Sequence, residues 1–211
     1  MSTRKLVDWQ AETVDMWHRD QAGVERCIAD TPRTVSRTPG LDRAIGEEHL
    51  VNIQLWHEED EARRPNVDDH VVAATKRRID VLNQQRNDLI ERIDALLLDF
   101  LAGSDLPRTT APLHSETPGA IIDRLSVLAL KVYHMREETD RSGAPNAHRQ
   151  LCQQRLEVLE QQRDDLAGCL DALATDLAAG NKRFQRYRQF KMYNDPEMNP
   201  AIRSAIPRER E

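Results

Sequence analysis

The sequence predicts an all-α protein: a pseudo-twofold four-helix bundle built from two duplicated helical hairpins, with N-terminal and C-terminal flanking helices. Three observations support this prediction. The 211 residues are 31% charged, 39% hydrophobic and only 4% aromatic, a balance typical of amphipathic helices. A 26-residue segment recurs 77 residues further along with 14 identities. In both copies the apolar residues alternate at spacings of three and four, as they do where helices pack together.

The internal repeat defines the architecture. Segments 78–103 and 155–180 read RIDVLNQQRNDLIERIDALLLDFLAG and RLEVLEQQRDDLAGCLDALATDLAAG. The same offset aligns 49–64 with 126–141, where both copies carry a histidine, a glutamate and an arginine at equivalent positions. Each unit is therefore two helices long. Two hairpins cannot bury their apolar stripes alone, so an up-down-up-down bundle is the simplest arrangement.

The first predicted element is an N-terminal helix over 4–29, where apolar residues recur at helical spacing, and a loop over 30–40 follows it. The first hairpin then begins with a helix over about 42–64. Pro65 ends that helix. The second helix of the hairpin ends at Gly103, because glycine is a common helix stop.

The second hairpin begins at Thr117, a predicted N-cap, with Pro118 at the first helical position. Its second helix ends at Gly180. A short basic helix is then predicted within 181–193, where aromatic residues alternate with cations. The resulting single domain is divided into an N-terminal helix and loop (1–40), the first hairpin (41–103), a linker (104–114), the second hairpin (115–180), and a basic helix and tail (181–211).

The long helix of each hairpin carries an apolar stripe that one arginine interrupts. The stripes are Ile79, Leu82, Arg86, Leu89, Ile93, Leu96 and Phe100 in the first copy, and Leu156, Leu159, Arg163, Leu166, Leu170, Leu173 and Leu177 in the second. An unpaired buried guanidinium is costly. We therefore expect each arginine to form a buried ion pair that fixes helix register.

The partners of these arginines follow from counting along antiparallel helices. Arg86 is expected level with Glu47 and Glu48, and Arg163 level with Asp123. The alternative is that the two arginines face a ligand carboxylate or phosphate, which a planar guanidinium binds with two hydrogen bonds.

A second polar pair lies on the stripe of the shorter helices. His57 and His134 occupy equivalent positions, and Glu61 and Glu138 follow them one turn later. Because these two helices would be parallel and diagonal in the bundle, we expect all four groups to converge. Histidine and carboxylate ligands suit divalent zinc, iron or manganese. The two interpretations are a metal site and core histidines that bond to glutamate or arginine.

Charge is unevenly distributed along the chain. The net charge is −6, and because residues 181–193 contribute +5 and residues 194–211 contribute −1, the first 180 residues carry −10. An acidic body disfavours nucleic acid. An anionic small molecule and a partner protein are the two kinds of partner that stay open. The candidate anion-binding residues are Arg78, Arg86, Arg155, Arg163, Lys182, Arg183 and Arg186.

Several protein classes are not indicated by the sequence. It has no apolar run of membrane-spanning length and no signal-peptide pattern at its start. Its three cysteines have no CxxC spacing, and no Walker loop, GxGxxG, GxSxG or HExxH motif occurs. We therefore expect a cytoplasmic protein that has neither a membrane span nor a disulfide framework.

Four strings are specific in combination: LWHEEDEARRP, KRRIDVLNQQRNDLIERID, TPGAIIDRLSVLALKVYHMREE and FKMYNDPEMNP. In these strings the chain resembles a bacterial family, domain of unknown function 4254, over most of its length. The resemblance implies a bacterial, soluble, all-helical protein with a link to cell-envelope glycan metabolism. It supplies no catalytic or binding residues.

Two functional hypotheses stay open. The first is a non-catalytic binding or accessory protein, because no nucleophile–base pair is evident in the sequence. The alternative is a small-molecule enzyme, with or without a divalent metal, that acts on a phosphorylated or carboxylated substrate inside the bundle. In that enzyme His57 and His134 would be acid–base groups, and Arg86 and Arg163 would bind the anion.

Overall fold

The computed structural model describes residues 3–20, 23–24, 28, 40–188 and 195–204. Within these residues lie six α-helices: α1 (Thr3–Arg19), α2 (Leu41–Glu61), α3 (Asp69–Ala102), α4 (Pro118–Asp140), α5 (Asn146–Ala179) and α6 (Pro200–Arg203). The described residues form no β-strand, and one isolated bridge joins Leu113 to Arg183. The predicted all-α class is confirmed.

Local sequence explains where the helices begin and end. The Thr117 hydroxyl accepts a hydrogen bond from the Ala120 N–H at 3.2 Å, and Pro118 lies in the first turn of α4, as predicted. Gly180 ends α5 with a left-handed φ of 70°. Gly103 ends α3 with a helical φ of −63°, so this glycine does not provide a left-handed cap.

Helix α4 is the central helix. It contacts α1, α2, α3 and α5, while α2 pairs with α3 and α1 also contacts α5. Residues that face different neighbours are buried along α4, including Ile121, Ile122, Leu125 and Leu130. A helix that is apolar around most of its circumference needs neighbours on several sides. None of the described helices combines the length and apolar character that crossing a membrane requires.

The two long helices bury different parts of their predicted stripes. In α5 the stripe is buried at Leu156, Leu166, Leu170, Leu173 and Leu177. In α3 the prediction is wrong at its end, because Phe100 is 60% exposed and Leu101 is buried instead. A helix with 3.6 residues per turn drifts away from a 3.5-residue repeat, so the core face passes from Ile93 through Leu97 to Leu101.

Helix α1 covers the predicted N-terminal helix only as far as Arg19. It buries apolar residues such as Leu6 and Val14 and contacts α4 and α5. Residues 21–22, 25–27 and 29 of that predicted helix lie outside the described residues, as does the predicted loop over 30–39.

The predicted basic helix is not formed by residues 181–188. Backbone hydrogen bonds of 2.7 and 3.0 Å instead join Arg183 to linker residues 112–114. Phe184 is only 2% exposed and belongs to the main core, so burial of this ring together with the linker outweighs local helix propensity. Residues 189–193 of the prediction lie outside the described residues.

Candidate functional site

Three aromatic–histidine pairs meet where α1, α2 and α4 pack together. Each pair is a dipeptide: Trp17-His18 in α1, Trp56-His57 in α2 and Tyr133-His134 in α4. Successive helical side chains point about 100° apart, so one helix can offer its two rings to different neighbours. The imidazole ring centres of His18 and His57 are 5.2 Å apart, those of His18 and His134 are 5.1 Å apart, and those of His57 and His134 are 6.2 Å apart.

The stacking among these six rings is cyclic. Trp17 of α1 stacks on His57 of α2, Trp56 of α2 on His134 of α4, and Tyr133 of α4 on His18 of α1, with ring centres 5.9, 4.8 and 4.3 Å apart and interplanar angles of 16°, 6° and 20°. Each imidazole therefore lies against an aromatic face from a different helix. The orientation of the three imidazoles depends on all three helices being docked.

Hydrogen bonds fix the tautomers of two of these histidines. His18 Nδ1–H donates to the Val14 carbonyl oxygen, and His134 Nδ1–H donates to a Glu137 carboxylate oxygen, both at 2.8 Å. Neither acceptor carries a hydrogen, so the neutral rings keep their lone pairs on Nε2. The Nε2 atoms of His57 and His134 are buried without a hydrogen-bond partner among the described residues.

Electrostatics favour the neutral form of His57. Burial lowers the pKa of His57, and the neighbouring His18 and His134 lower it further. A neutral imidazole at physiological pH can accept a proton or bind a metal ion.

The predicted convergence of four groups is wrong for the two glutamates. Glu61 pairs with Arg64 at 2.9 Å, and Glu138 pairs with Arg141 at 3.2 Å. Both carboxylates lie in the last turn of a helix, where an arginine three residues later is within easy reach. The structure thus brings His57 and His134 together without these carboxylates.

Glu138 belongs instead to a second group, with His148 and Cys152. His148 Nε2 lies 2.8 Å from a Glu138 oxygen, 3.4 Å from the Cys152 sulfur and 3.2 Å from an Arg141 nitrogen. Within the described part of the chain, this is the single group of three histidine, cysteine or acidic residues whose ligand atoms all lie within 4.8 Å of one another. Neither His148 nor Cys152 was among the predicted site residues, although their four-residue spacing on one helix is visible in the sequence.

Arg86 forms a partly buried ion pair, and its partner comes from α4 and not from α2 as predicted. Its Nε and Nη2 donate to the two oxygens of Asp123, each at 2.5 Å. Arg163, which was expected to be level with Asp123, pairs with the adjacent Asp164 at 2.8 Å. Helices α3 and α4 are in contact, and this contact places Asp123 beside Arg86 and not beside Arg163.

This ion pair ends a buried chain of hydrogen bonds across four helices. Asn52 Nδ2 donates to Asp123 Oδ1 at 3.0 Å and to Ser126 Oγ at 2.9 Å. Ser126 Oγ lies 2.8 Å from His49 Nδ1, and His49 Nε2–H donates to the Gln10 carbonyl oxygen at 3.0 Å. All five residues are at most 5% exposed. The chain therefore connects α1, α2, α4 and, through Arg86, α3.

Two carboxyl groups lie side by side in this network. Burial raises the pKa of Glu48 well above its ordinary value, and the Asp123 carboxylate raises it further. Burial also acts to raise the pKa of Asp123, but hydrogen bonds from Arg86 and Glu48 hold it below its ordinary value. We therefore assign the proton to Glu48 and the negative charge to Asp123.

A groove with a volume of about 640 Å³ runs beside His57, between α2 and α3. Arg78 lies in this groove in a fixed orientation, because its Nε donates to Glu58 at 2.8 Å and its Nη2 donates to Thr75 at 2.9 Å. Three predicted site residues, His57, Glu61 and Arg78, thus line one groove. The other lining residues include Trp17, Gln54, Arg77, Val81, Leu82 and Gln85.

The remaining candidate anion-binding residues do not line this groove. Arg155 and Arg186 are exposed. Lys182 pairs with Asp176 at 3.1 Å, and Arg183 Nε donates to a linker carbonyl at 2.9 Å.

The family described as "Protein of unknown function (DUF4254)" matches residues 42–185, well over half of the chain. The chain belongs to this family. The DUF4254 match covers α2 to α5, with His57 and His134, while α1 and His18 precede it. No curated protein and no solved structure matches the chain.

Proposed function

We propose that this protein binds a sugar phosphate, or a similar small anionic ligand with hydroxyl groups, in the groove beside His57. The volume of about 640 Å³ lies within the usual range of small-molecule sites. The groove combines an aromatic ring, two amides, two arginines and two carboxylates. Such a lining can contact the apolar face, the hydroxyls and the phosphate of one ligand.

The observation that carries the proposal is the fixed guanidinium of Arg78. Glu58 and Thr75 accept hydrogen bonds from two of its five N–H groups. These bonds hold the plane of the group and leave other N–H donors for a phosphate or carboxylate. Although the Arg78 side chain is 50% exposed, these two bonds orient its guanidinium, so binding an anion there costs less conformational entropy.

The other lining residues suit the sugar part of the ligand. Trp17 offers apolar surface on which the C–H face of a sugar ring can pack. The side chains of Gln54, Gln85 and Glu61 can exchange hydrogen bonds with hydroxyl groups.

We assign the protein, within this proposal, to the bacterial cytoplasm as a non-catalytic binding or accessory protein of cell-envelope glycan metabolism. The family resemblance supports the bacterial and glycan parts of this assignment. The high charge content, 31% of residues, supports the soluble location.

We further propose that the two hairpins form a four-helix bundle about an approximate twofold axis. Residues related by a twofold axis contact their own counterparts only near that axis. Support comes from two contacts between residues 77 positions apart: the 2.8 Å contact of His49 with Ser126 and the imidazole contact of His57 with His134. The functional groove would then lie beside the axis.

Calorimetric titration of the full chain with glucose 1-phosphate and with UDP-glucose tests the binding proposal. We expect saturable binding that Arg78→Ala weakens by about tenfold or more, because a hydrogen bond to a charged group is lost. Arg155→Ala is the matched control, since Arg155 occupies the equivalent position of the second copy and is exposed. Lack of binding at millimolar ligand, or equal weakening by Arg155→Ala, would overturn the proposal.

A second candidate function is catalysis on the same class of ligand. It is favoured by the neutral His57, which lines the groove and could act as a general base. Release of phosphate or UDP by the purified protein, abolished by His57→Gln, would assign an enzyme. Binding without turnover supports the accessory role.

A further inference from the structure

We propose that His18, His57 and His134 form a binding site for a divalent transition-metal ion of the zinc class. The site takes one ligand each from α1, α2 and α4. It replaces the two glutamates of the sequence-based prediction with a histidine from outside the repeat. The proposal does not depend on the groove ligand.

The spacing of the three rings fits a shared metal ion. Three imidazoles bound tetrahedrally to one zinc ion, with Zn–N bonds of about 2.0 Å, have ring centres roughly 5 Å apart. The observed separations are 5.1, 5.2 and 6.2 Å. The three ligand nitrogens are not all within 4.8 Å of one another. Binding therefore requires small rotations about the Cβ–Cγ bonds, a torsion with a broad range in histidine, which bring the Nε2 atoms closer while the Nδ1–H groups of His18 and His134 keep their acceptors.

The outer hydrogen bonds are those that metal ligands need. A metal-bound histidine usually donates its second ring N–H to a carboxylate or to a backbone carbonyl, which fixes its tautomer and orientation. His134 donates Nδ1–H to Glu137, and His18 donates Nδ1–H to the Val14 carbonyl. In both rings Nε2 is therefore the atom left for a metal ion.

Two of the three histidines have buried nitrogens that lack a partner. The Nε2 atoms of His57 and His134 are inaccessible to solvent and form no hydrogen bond to the described residues. Buried polar atoms are nearly always satisfied, and an exception calls for an ion or a water molecule. One metal ion between the rings would satisfy both atoms.

The surroundings give the ion a protected site with an access route. The cyclic stack of Trp17, Trp56 and Tyr133 forms the apolar shell that limits water around a metal centre. His18 is exposed, so an ion can enter from its side.

The Glu138–His148–Cys152 group is the competing site, and its contacts argue against it. The Arg141 guanidinium lies 3.2 Å from both the Glu138 carboxylate and His148 Nε2. The guanidinium therefore competes with a metal ion for two of the three ligand atoms. This group also differs from a catalytic triad, because its thiol and carboxylate both contact the same nitrogen of His148.

Titration of the chelator-treated full chain with Co²⁺, followed by Zn²⁺, tests the proposal. We expect one Co²⁺ per chain, visible absorption bands of tetrahedral cobalt without a thiolate charge-transfer band, and displacement by Zn²⁺. His18→Gln and His134→Gln should each lower Co²⁺ affinity at least tenfold. Cys152→Ser is the matched control and should bind like the wild type, because only the competing site contains sulfur.

Three results would overturn the metal proposal. These are no binding at micromolar Co²⁺, a thiolate band that disappears in Cys152→Ser, or unchanged affinity in His18→Gln. Circular dichroism of each variant checks its folding, and the exposed His18 gives the decisive variant because its substitution disturbs the core least. No sugar phosphate is present in this titration, so its outcome is separate from that of the groove experiment.

Discussion

Arg86 and Arg163 hold equivalent positions in the two repeats but have different surroundings. Arg86 forms two hydrogen bonds to Asp123, whose side chain is only 7% exposed. Arg163 pairs with the neighbouring Asp164, whose side chain is 58% exposed. The identity of a residue therefore does not set its energetic role, because the neighbouring helix decides which partner is available.

Replacing Arg86 by alanine should cost much more stability than replacing Arg163. Arg86→Ala leaves the Asp123 charge buried beside Glu48 without a cation, which we expect to cost about 3–5 kcal/mol. Arg163→Ala should cost about 1 kcal/mol or less, because the Asp164 side chain that it leaves behind is 58% exposed, although that of Arg163 itself is only 19% exposed. Urea denaturation at pH 7 measures both, and equal losses would contradict the assigned role of Arg86.

For individual residues, the sequence predicted contacts only between positions that the internal repeat makes equivalent. The meeting of His57 and His134 followed from their matched positions. The place of His18 did not, because α1 lies outside the repeat. A visible signal was missed, since Trp17-His18 is a third aromatic–histidine dipeptide. Glu61 and Glu138 were misplaced because counting along helices ignores an arginine three residues later, just beyond the helix end.

At the scale of helices, the close approach of α3 and α4 depends on one glycine. The Gly119 N–H donates to Asp94 Oδ1 at 2.7 Å. A Cβ at Gly119 would lie 2.8 Å from the Ile90 carbonyl oxygen and 2.8 Å from Asp94 Oδ1. The first turn of α4 therefore packs against the backbone of α3.

Two glycine-to-alanine substitutions should shift stability in opposite directions. Gly119→Ala should destabilise the protein by about 1–3 kcal/mol, because α4 must move away from α3. Gly168→Ala, in the middle of α5, meets no atom within 4 Å and should stabilise by up to about 1 kcal/mol through helix propensity. Thermal unfolding checks both signs, and a rise in Tm for Gly119→Ala would disprove the tight packing.

Helix boundaries were the most predictable elements of the fold. Proline, an N-cap threonine and a left-handed glycine act locally, so α4 and α5 begin and end close to the predicted positions. The errors at Phe100 and at residues 181–188 have non-local causes. Gradual drift of the core face exposes Phe100, and burial of Phe184 outweighs the helical pattern around it.

At the scale of the whole molecule, His49 links the helices that form the core. Its ring bonds to α1 through Gln10 and contacts Ser126 of α4, and it is fully buried. Burial lowers the pKa of His49 to about 4. The folded protein therefore holds this histidine neutral under conditions in which the unfolded chain already binds a proton.

Because of His49, the free energy of unfolding should decrease as the pH is lowered below the ordinary histidine pKa. The unfolded pKa is about 6.5, so the contribution of His49 is fully present above that pH and is lost progressively down to about pH 4. The full loss is about 3 kcal/mol. Urea denaturation between pH 4 and 8, compared with His49→Gln, isolates the effect; identical slopes for the two proteins would refute it.

The internal repeat predicted two helical hairpins, but it did not predict which helices of the two hairpins pack against each other. Periodicity defines which face of a helix is apolar, and it does not say how many other helices cover that face. The central place of α4 and the docking of α1 depend on such contacts, so they became visible only in three dimensions.

The position of α4 also affects how the two halves diverge. The aligned stretches of α2 and α4 share only three of 16 residues, whereas those of α3 and α5 share 14 of 26. Helix α4 packs extensively against four helices and α2 against two, so a substitution in α4 must fit more neighbours than one at the aligned position of α2. A different set of neighbouring helices is therefore the structural difference that accompanies the low identity of the two short helices.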